Sequence, residues 1–179
     1  GHKLEGLQTS MTLNGIKGSR DCVIDGMTVD VKSASTMGMA KFRNNGLLDS
    51  DPFGYLSQLS SYVAAGADDP LVTYKNHGAF VAIDKQFGHV EVDIYDMTDL
   101  VARKPAEVEE KKAMVKQPEA PARAFSDVPD GKSGNRKLGT QCSYCEYKKA
   151  CWPDLKTYVY SNGPRYLTQV VREPKVFQE

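Results

Sequence analysis

Asp21, Asp30 and Lys32 are the residues of this sequence best spaced to do chemistry together. They lie in DCVIDGMTVDVK, residues 21–32, a run otherwise made of Val, Ile, Met, Cys and Thr. Acids are poor strand formers, so their presence in so strand-like a run needs a reason. Asp25-Gly26 is a strong signal for a two-residue type I′ hairpin, because both central residues need φ > 0. That turn sets Ile24 opposite Met27, Val23 opposite Thr28, Cys22 opposite Val29, and Asp21 opposite Asp30. Opposed residues share a face. Asp21, Val23, Thr28, Asp30 and Lys32 are therefore expected on one face, and Cys22, Ile24, Met27, Val29 and Val31 on the other, which reads as core. Two aspartates across a hairpin repel unless positive charge sits between them. Lys32 supplies part of it, and the hard oxygen donors suit Mg²⁺ or Mn²⁺. The competing reading is a solvated hairpin face with incidental charges.

Gln58 and Tyr62, in QLSSY, are spaced i, i+4 and project from one face of a helix. Leu56, Leu59 and Val63 sit at spacings that bury a neighbouring face. GSRD, DVK and QLSSY, in that order, resemble the RecB-type branch of the PD-(D/E)xK nuclease superfamily, and within it the phage-type exonucleases, over residues 15–65. The resemblance implies an α/β fold with a restriction-endonuclease-like core, a mixed β-sheet flanked by helices. It implies a divalent-metal-dependent DNA exonuclease acting in phage or bacterial DNA recombination or processing, in the cytoplasm of a bacterial host.

Residue by residue, the resemblance implies that Asp21 and Asp30 bind Mg²⁺ or Mn²⁺, with the Val31 backbone carbonyl as a further ligand. Lys32 would orient or activate the attacking water and offset charge on the phosphate. Gln58 and Tyr62 would contact the DNA backbone or brace the metal site. Phosphodiester hydrolysis requires a hydroxide-like nucleophile and counter-charge on the nonbridging oxygens, which metal and lysine supply. The family core begins with a helix that often carries another acid. Here little precedes Leu4, so either Glu5 substitutes or that helix lies upstream. The Gly-His start in place of Met points to a tag remnant or to missing upstream residues. A non-catalytic DNA-binding module of the same fold and a structure-specific endonuclease are the alternatives. Linear or single-stranded DNA ends are the expected partner, a recombinase or single-strand-binding protein a candidate second one; oligomeric state stays open.

Cys142, Cys145 and Cys151 form a C-x2-C-x5-C pattern in CSYCEYKKACWPD. Four cysteines without a secretory signal point to a metal rather than to disulfides; buried structural thiols are the other reading. The triplet resembles the C-terminal cysteines of iron–sulfur members of the same nuclease branch, where an upstream cysteine completes a [4Fe–4S] cluster. Structural Zn²⁺ accepts a similar set. Cys22, the remaining cysteine, falls on the apolar side of the hairpin and is expected in the core. Tyr144, Tyr147 and Trp152, among Lys148 and Lys149, suit either stacking on single-stranded bases or packing around the knuckle. His2, His77 and His89 lack partners at ligand spacing, and Asp84, Asp93 and Asp96 read as solvated strand ends.

The rest of the chain must hold these residues in place. Its 179 residues, 40% hydrophobic and 26% charged, suffice for one domain with a real core and a small appendage. No apolar run reaches membrane-spanning length and no signal peptide is visible. Zero net charge argues against an indiscriminate polycation, yet residues 1–100 hold 8 Lys/Arg against 13 Asp/Glu while residues 132–179 hold 9 against 4. Pattern predicts strand and turn over 4–16 with a hairpin at Asn14-Gly15, then strands over 16–24, 27–34, 71–74, 79–84 and 89–95. Residues 35–50 read as a loop over the site. A helix should start near Pro52, with Asp49, Ser50 and Asp51 as caps, and stop near Gly66. A second, over 98–117, should break at Pro105. The chain thus divides into a nuclease core (1–117), a Pro- and Gly-rich connector (118–139) and a C-terminal cysteine-knuckle segment (140–179) packing back on the core.

Overall fold

Two left-handed turns organise the first half of the chain. Asn14 and Gly15 have φ of 49° and 81°, and Asp25 and Gly26 repeat those values. Asp, Asn and Gly are the residues that adopt this conformation at least cost, so the turns fall where the sequence puts them. The computed structural model describes residues 1–179. It comprises two compact units, Gly1–Pro118 and Glu119–Glu179.

The first unit opens with five strands: β1 (Leu4–Glu5), β2 (Thr9–Leu13), β3 (Ile16–Arg20), β4 (Cys22–Ile24) and β5 (Met27–Ala34). Helix α1 (Tyr55–Ala65), strands β6 (His77–Asp84) and β7 (Val90–Asp96), and helix α2 (Thr98–Met114) complete it. The main sheet has the order β1-β4-β5-β6-β7, with β2 and β3 forming a separate ribbon. β5 and β6 run parallel while the other pairs are antiparallel. This is an α/β unit built on a mixed sheet flanked by helices. The parallel pair needs a crossover, and α1 lies within it. No helix is long and apolar enough to cross a membrane.

The β4–β5 register is the one the turn dictates: Cys22↔Val29, Val23↔Thr28 and Ile24↔Met27. The predicted strand over 16–24 is instead broken at Asp21, where the chain leaves the β2–β3 ribbon and enters the main sheet. Arg20, the last residue of β3, has a fully buried side chain that reaches Asp69 across 49 residues of sequence, Nη2 to Oδ2 at 2.6 Å.

The assignment of core and surface to the two hairpin faces requires correction. Thr28, Asp30 and Lys32 pair with Gly78, Phe80 and Ala82 of β6. Phe80 and Ala82 belong to the main apolar core with Leu59 and Val63 of α1 and Tyr95 of β7. The charged face is therefore the one the helix covers. The opposite face carries a smaller cluster of Cys22, Val29 and Ala79, while Val31, Val92 and Ile94 stay exposed.

Other expectations also shift. The segment 35–50 is not plain loop but two short 3₁₀ turns, Gly38–Phe42 and Gly46–Leu48, which bury Met39, Phe42 and Leu47. Helix α1 begins at Tyr55 because the Asp51 carboxylate caps it, accepting from the Tyr55 and Leu56 amides at 2.9 Å each. Leu71–Tyr74 is no strand: the Thr73 and Tyr74 amides both donate to the Gly26 carbonyl, which bends the chain. Pro105 lies inside α2 without ending it; its carbonyl accepts from Asn14 Nδ2, and the buried Lys104 Nζ donates to Ser57 Oγ of α1. Asp84 and Asp93 are buried rather than solvated. Asp84 caps the KQFG turn through the Gln86 amide, and Asp93 accepts from the Asn45 amide and the Tyr95 hydroxyl.

The second unit is a five-stranded sheet with two single-turn helices. In chain order it has β8 (Val128–Pro129), β9 (Arg136–Lys137), α3 (Thr140–Ser143), α4 (Lys148–Cys151), β10 (Lys156–Tyr160), β11 (Gly163–Gln169) and β12 (Phe177–Gln178). The strand order is β12-β10-β11-β9-β8. The expected connector thus supplies two strands of this sheet. Buried Leu138, Tyr158 and Leu167 form its interior.

Candidate active site

The break at Asp21 and the alternation of β5 bring two carboxylates together. Asp21 leaves the ladder after Cys22↔Val29, but its side chain turns back to the hairpin. Its Oδ2 accepts from the Val31 amide at 2.7 Å, and its Oδ1 from Gln8 Nε2 at 3.0 Å. Asp30 is 4% exposed. Burial pushes its carboxyl above the usual carboxylate range; Lys32 opposes this, and the adjacent Asp21 carboxylate adds to the rise.

Lys32 is the hub. Its Nζ lies 2.6 Å from Asp30 Oδ2 and donates to Gln58 Oε1 at 2.9 Å. It also stands 4.9 Å from the centre of the Tyr55 ring. Gln58 Nε2 in turn donates to the Tyr62 hydroxyl at 3.3 Å. This chain of contacts joins the DVK strand to the QLSSY helix. Tyr62 lies on β3 at Gly18, where an added Cβ would meet the Tyr62 ring at 2.9 Å; only a residue without a side chain lets the ring approach so closely.

Three participants escaped the sequence reading. Tyr55 was findable, since 55, 58 and 62 follow the i, i+3, i+7 spacing of one helix face. Gln8 was not. It bonds Asp21 through both its amide side chain and its backbone N–H, yet nothing in its spacing sets it apart. Arg20 is the third, and its Nε and Nη1 are buried without hydrogen-bond partners. Glu5 pairs with Lys3.

No group of three or more His, Cys, Asp or Glu side chains is arranged as a ready-made metal cage. Asp21 and Asp30 nonetheless suit a hard divalent cation, because Mg²⁺ commonly takes one or two protein carboxylates and keeps its waters. Asp30 Oδ2 is buried and ion-paired with Lys32 Nζ at 2.6 Å, so a cation at the two carboxylates would share Asp30 with the lysine.

In the second unit, Cys142 closes on Cys145, whose amide donates to the Cys142 carbonyl at 3.2 Å. Cys151 ends α4, its carbonyl held by Arg123 Nε at 2.7 Å. Burial pushes the Cys142 thiol up, and charge on Cys145 and Cys151 pushes it further. Cys22 sits in the apolar cluster of the first unit, its thiol also raised, chiefly by burial.

No protein-family model matches the chain, and no curated protein matches it.

Proposed function

We propose that the first unit is a restriction-endonuclease-like core and that the chain is a divalent-metal-dependent DNA exonuclease. The observation that carries this reading is the continuous set Asp21, Asp30, Lys32, Gln58 and Tyr62, in which a lysine bridges a buried acid and a helix-borne amide. A solvated hairpin face gives no reason for Asp30 to be buried or for Lys32 to reach Gln58. In this reading Asp21, Asp30 and the Val31 carbonyl hold Mg²⁺ or Mn²⁺. When bound, the ion supplies charge on the scissile phosphate and a more acidic water. Lys32 Nζ, positioned by Asp30 and Gln58, orients that water and offsets charge on the phosphate oxygens. Gln58 and the Tyr62 hydroxyl present donors to the DNA backbone. Action on phage or bacterial recombination intermediates in the bacterial cytoplasm, with a recombinase or single-strand-binding protein nearby, belongs to the same proposal.

End-labelled linear DNA and covalently closed circular DNA, each incubated with Mg²⁺ or Mn²⁺, test it. Progressive shortening from the ends with intact circles is expected. Nicked circles would make the chain an endonuclease. Retention of both substrates uncut, but bound, would make it a DNA-binding module of the same fold.

The cysteine trio is proposed as a structural thiolate site for a [4Fe–4S] cluster, or for Zn²⁺ if sulfide is absent. Its role is to fold the segment around α3 and α4, since metal binding in such knuckles is folding free energy. Anaerobically purified protein should carry the metal, and Cys142→Ser, Cys145→Ser and Cys151→Ser should each lose it. Cys22→Ser should keep it, because that thiol is packed in an apolar cluster. Metal analysis with sulfide determination decides, and loss of metal in Cys22→Ser would overturn the placing of Cys22 in the core.

A further inference from the structure

We infer that the second unit carries a separate groove for single-stranded nucleic acid, formed by two clefts that meet at Arg165. One cleft, of about 450 Å³, is lined by Lys132, Arg172 and Lys175 among others, and the other, of about 690 Å³, by Lys137 and Tyr144. Arg165 lines both. The two clefts together hold these five cations against two carboxylates, Asp130 and Glu173.

The carboxylates are already committed. Asp130 is buried and holds two cations at once, Lys137 Nζ at 3.1 Å and Arg165 Nη1 at 3.0 Å. Glu173 accepts from the Tyr158 hydroxyl at 2.6 Å. Lys132, Arg172 and Lys175 form no ion pair within the chain, so the surface stays electropositive.

The groove is built rather than incidental. The Asn135 side chain fixes the turn that carries Arg172, accepting from the Val171 and Arg172 amides and donating to the Arg172 carbonyl. The Arg165 guanidinium lies 4.3 Å over the Tyr160 ring, and Lys148 Nζ 4.9 Å over Tyr166. Tyr144 is 76% exposed at the wall of the larger cleft.

Cations that track a backbone, interleaved with aromatic faces that accept bases, are the chemistry of single-strand binding. A duplex hides its base faces, and an acidic peptide has no use for the tyrosines. The choice of DNA over RNA rests on the nuclease reading; the groove itself does not.

The test is binding of a labelled oligothymidylate to the full chain with no Mg²⁺ or Mn²⁺ added and no chelator, so that no cleavage contributes and the cysteine-bound metal is kept. The triple variant Lys132→Gln, Arg172→Gln, Lys175→Gln should bind about tenfold or more weakly, and the slope of log affinity against log salt should fall by about 2. Tyr144→Ala should lose about tenfold on the oligothymidylate and nothing on an abasic strand of equal length, because stacking needs a base. Thermal melts of both variants control for folding. Wild-type affinity in the triple variant overturns the groove. So does equal loss on both strands in Tyr144→Ala, or displacement of the oligonucleotide by polyglutamate as readily as by unlabelled strand. Because the assay omits the catalytic divalent ion, an absence of nuclease activity leaves its outcome unchanged.

Discussion

Asp30→Asn should abolish cleavage while leaving the fold standing. The substitution keeps the volume of a residue that is 4% exposed and removes one of the two carboxylates that face a cation. Metal-ion chemistry contributes several kcal/mol to such a reaction, so at about 1.4 kcal/mol per decade the rate should fall by about three decades or more. The stability effect has a definite sign. Burial, the largest influence on Asp30, raises its pKa in the folded state. A raised carboxyl binds its proton more tightly folded than unfolded, so the metal-free protein gains stability as pH falls towards the carboxylate range and gives it up as pH rises through the folded pKa. Asn carries no such penalty. Lys32, left without its acid, keeps the Gln58 oxygen and the Tyr55 ring and is itself part-exposed. The metal-free variant should therefore melt at or above the wild-type temperature at neutral pH, and that advantage should shrink on acidification. Mg²⁺ should raise the melting temperature of the wild type alone, because a ligand stabilises only the state that binds it. Full cleavage by the variant with Mn²⁺ supplied would falsify the site.

What could be read from the sequence follows the reach of each physical signal. Turn chemistry is local, and Asn14-Gly15 and Asp25-Gly26 fixed two hairpins and the β4–β5 register because few residues tolerate positive φ. Helix α1 was legible for the same reason: an acid, a glycine and an apolar periodicity lie within one stretch. The choice of core face was not legible from the hairpin, since both faces carry apolar residues there. Phe80, Ala82 and Tyr95 decide it, and they join β5 only through pairing fifty residues away. The Arg20–Asp69 contact beside the break at Asp21 is equally non-local. Asp84 and Asp93 look like solvated strand ends because a donor two residues on, Gln86 or Tyr95, does not itself signal burial, and the Asn45 amide that also holds Asp93 lies 48 residues away. The acids and lysine of the site could be named in advance. Gln8, which orients one of them, could not.

Lys32→Ala separates catalysis from binding. Lys32 Nζ touches Asp30 and Gln58, two residues of opposite assignment, one to the cation and one to the DNA backbone. If the lysine positions a proton or offsets charge at the reacting phosphate, its loss should lower the single-turnover rate by about 10²–10⁴, the scale of a positioned acid–base group. Affinity for DNA, measured without metal, should fall far less, because Gln58 and Tyr62 remain and one phosphate contact among several is a small share of the whole. Lys32→Arg refines the result. A guanidinium keeps the charge but cannot release its proton near neutral pH, so partial rescue assigns Lys32 to charge compensation and no rescue assigns it to proton transfer. Losing Lys32, which Asp30 and Gln58 share, should also loosen Gln58. If rate and affinity fall together by the same factor, Lys32 is only a phosphate contact, and the assignment of its chemistry fails even though its place between Asp30 and Gln58 stands.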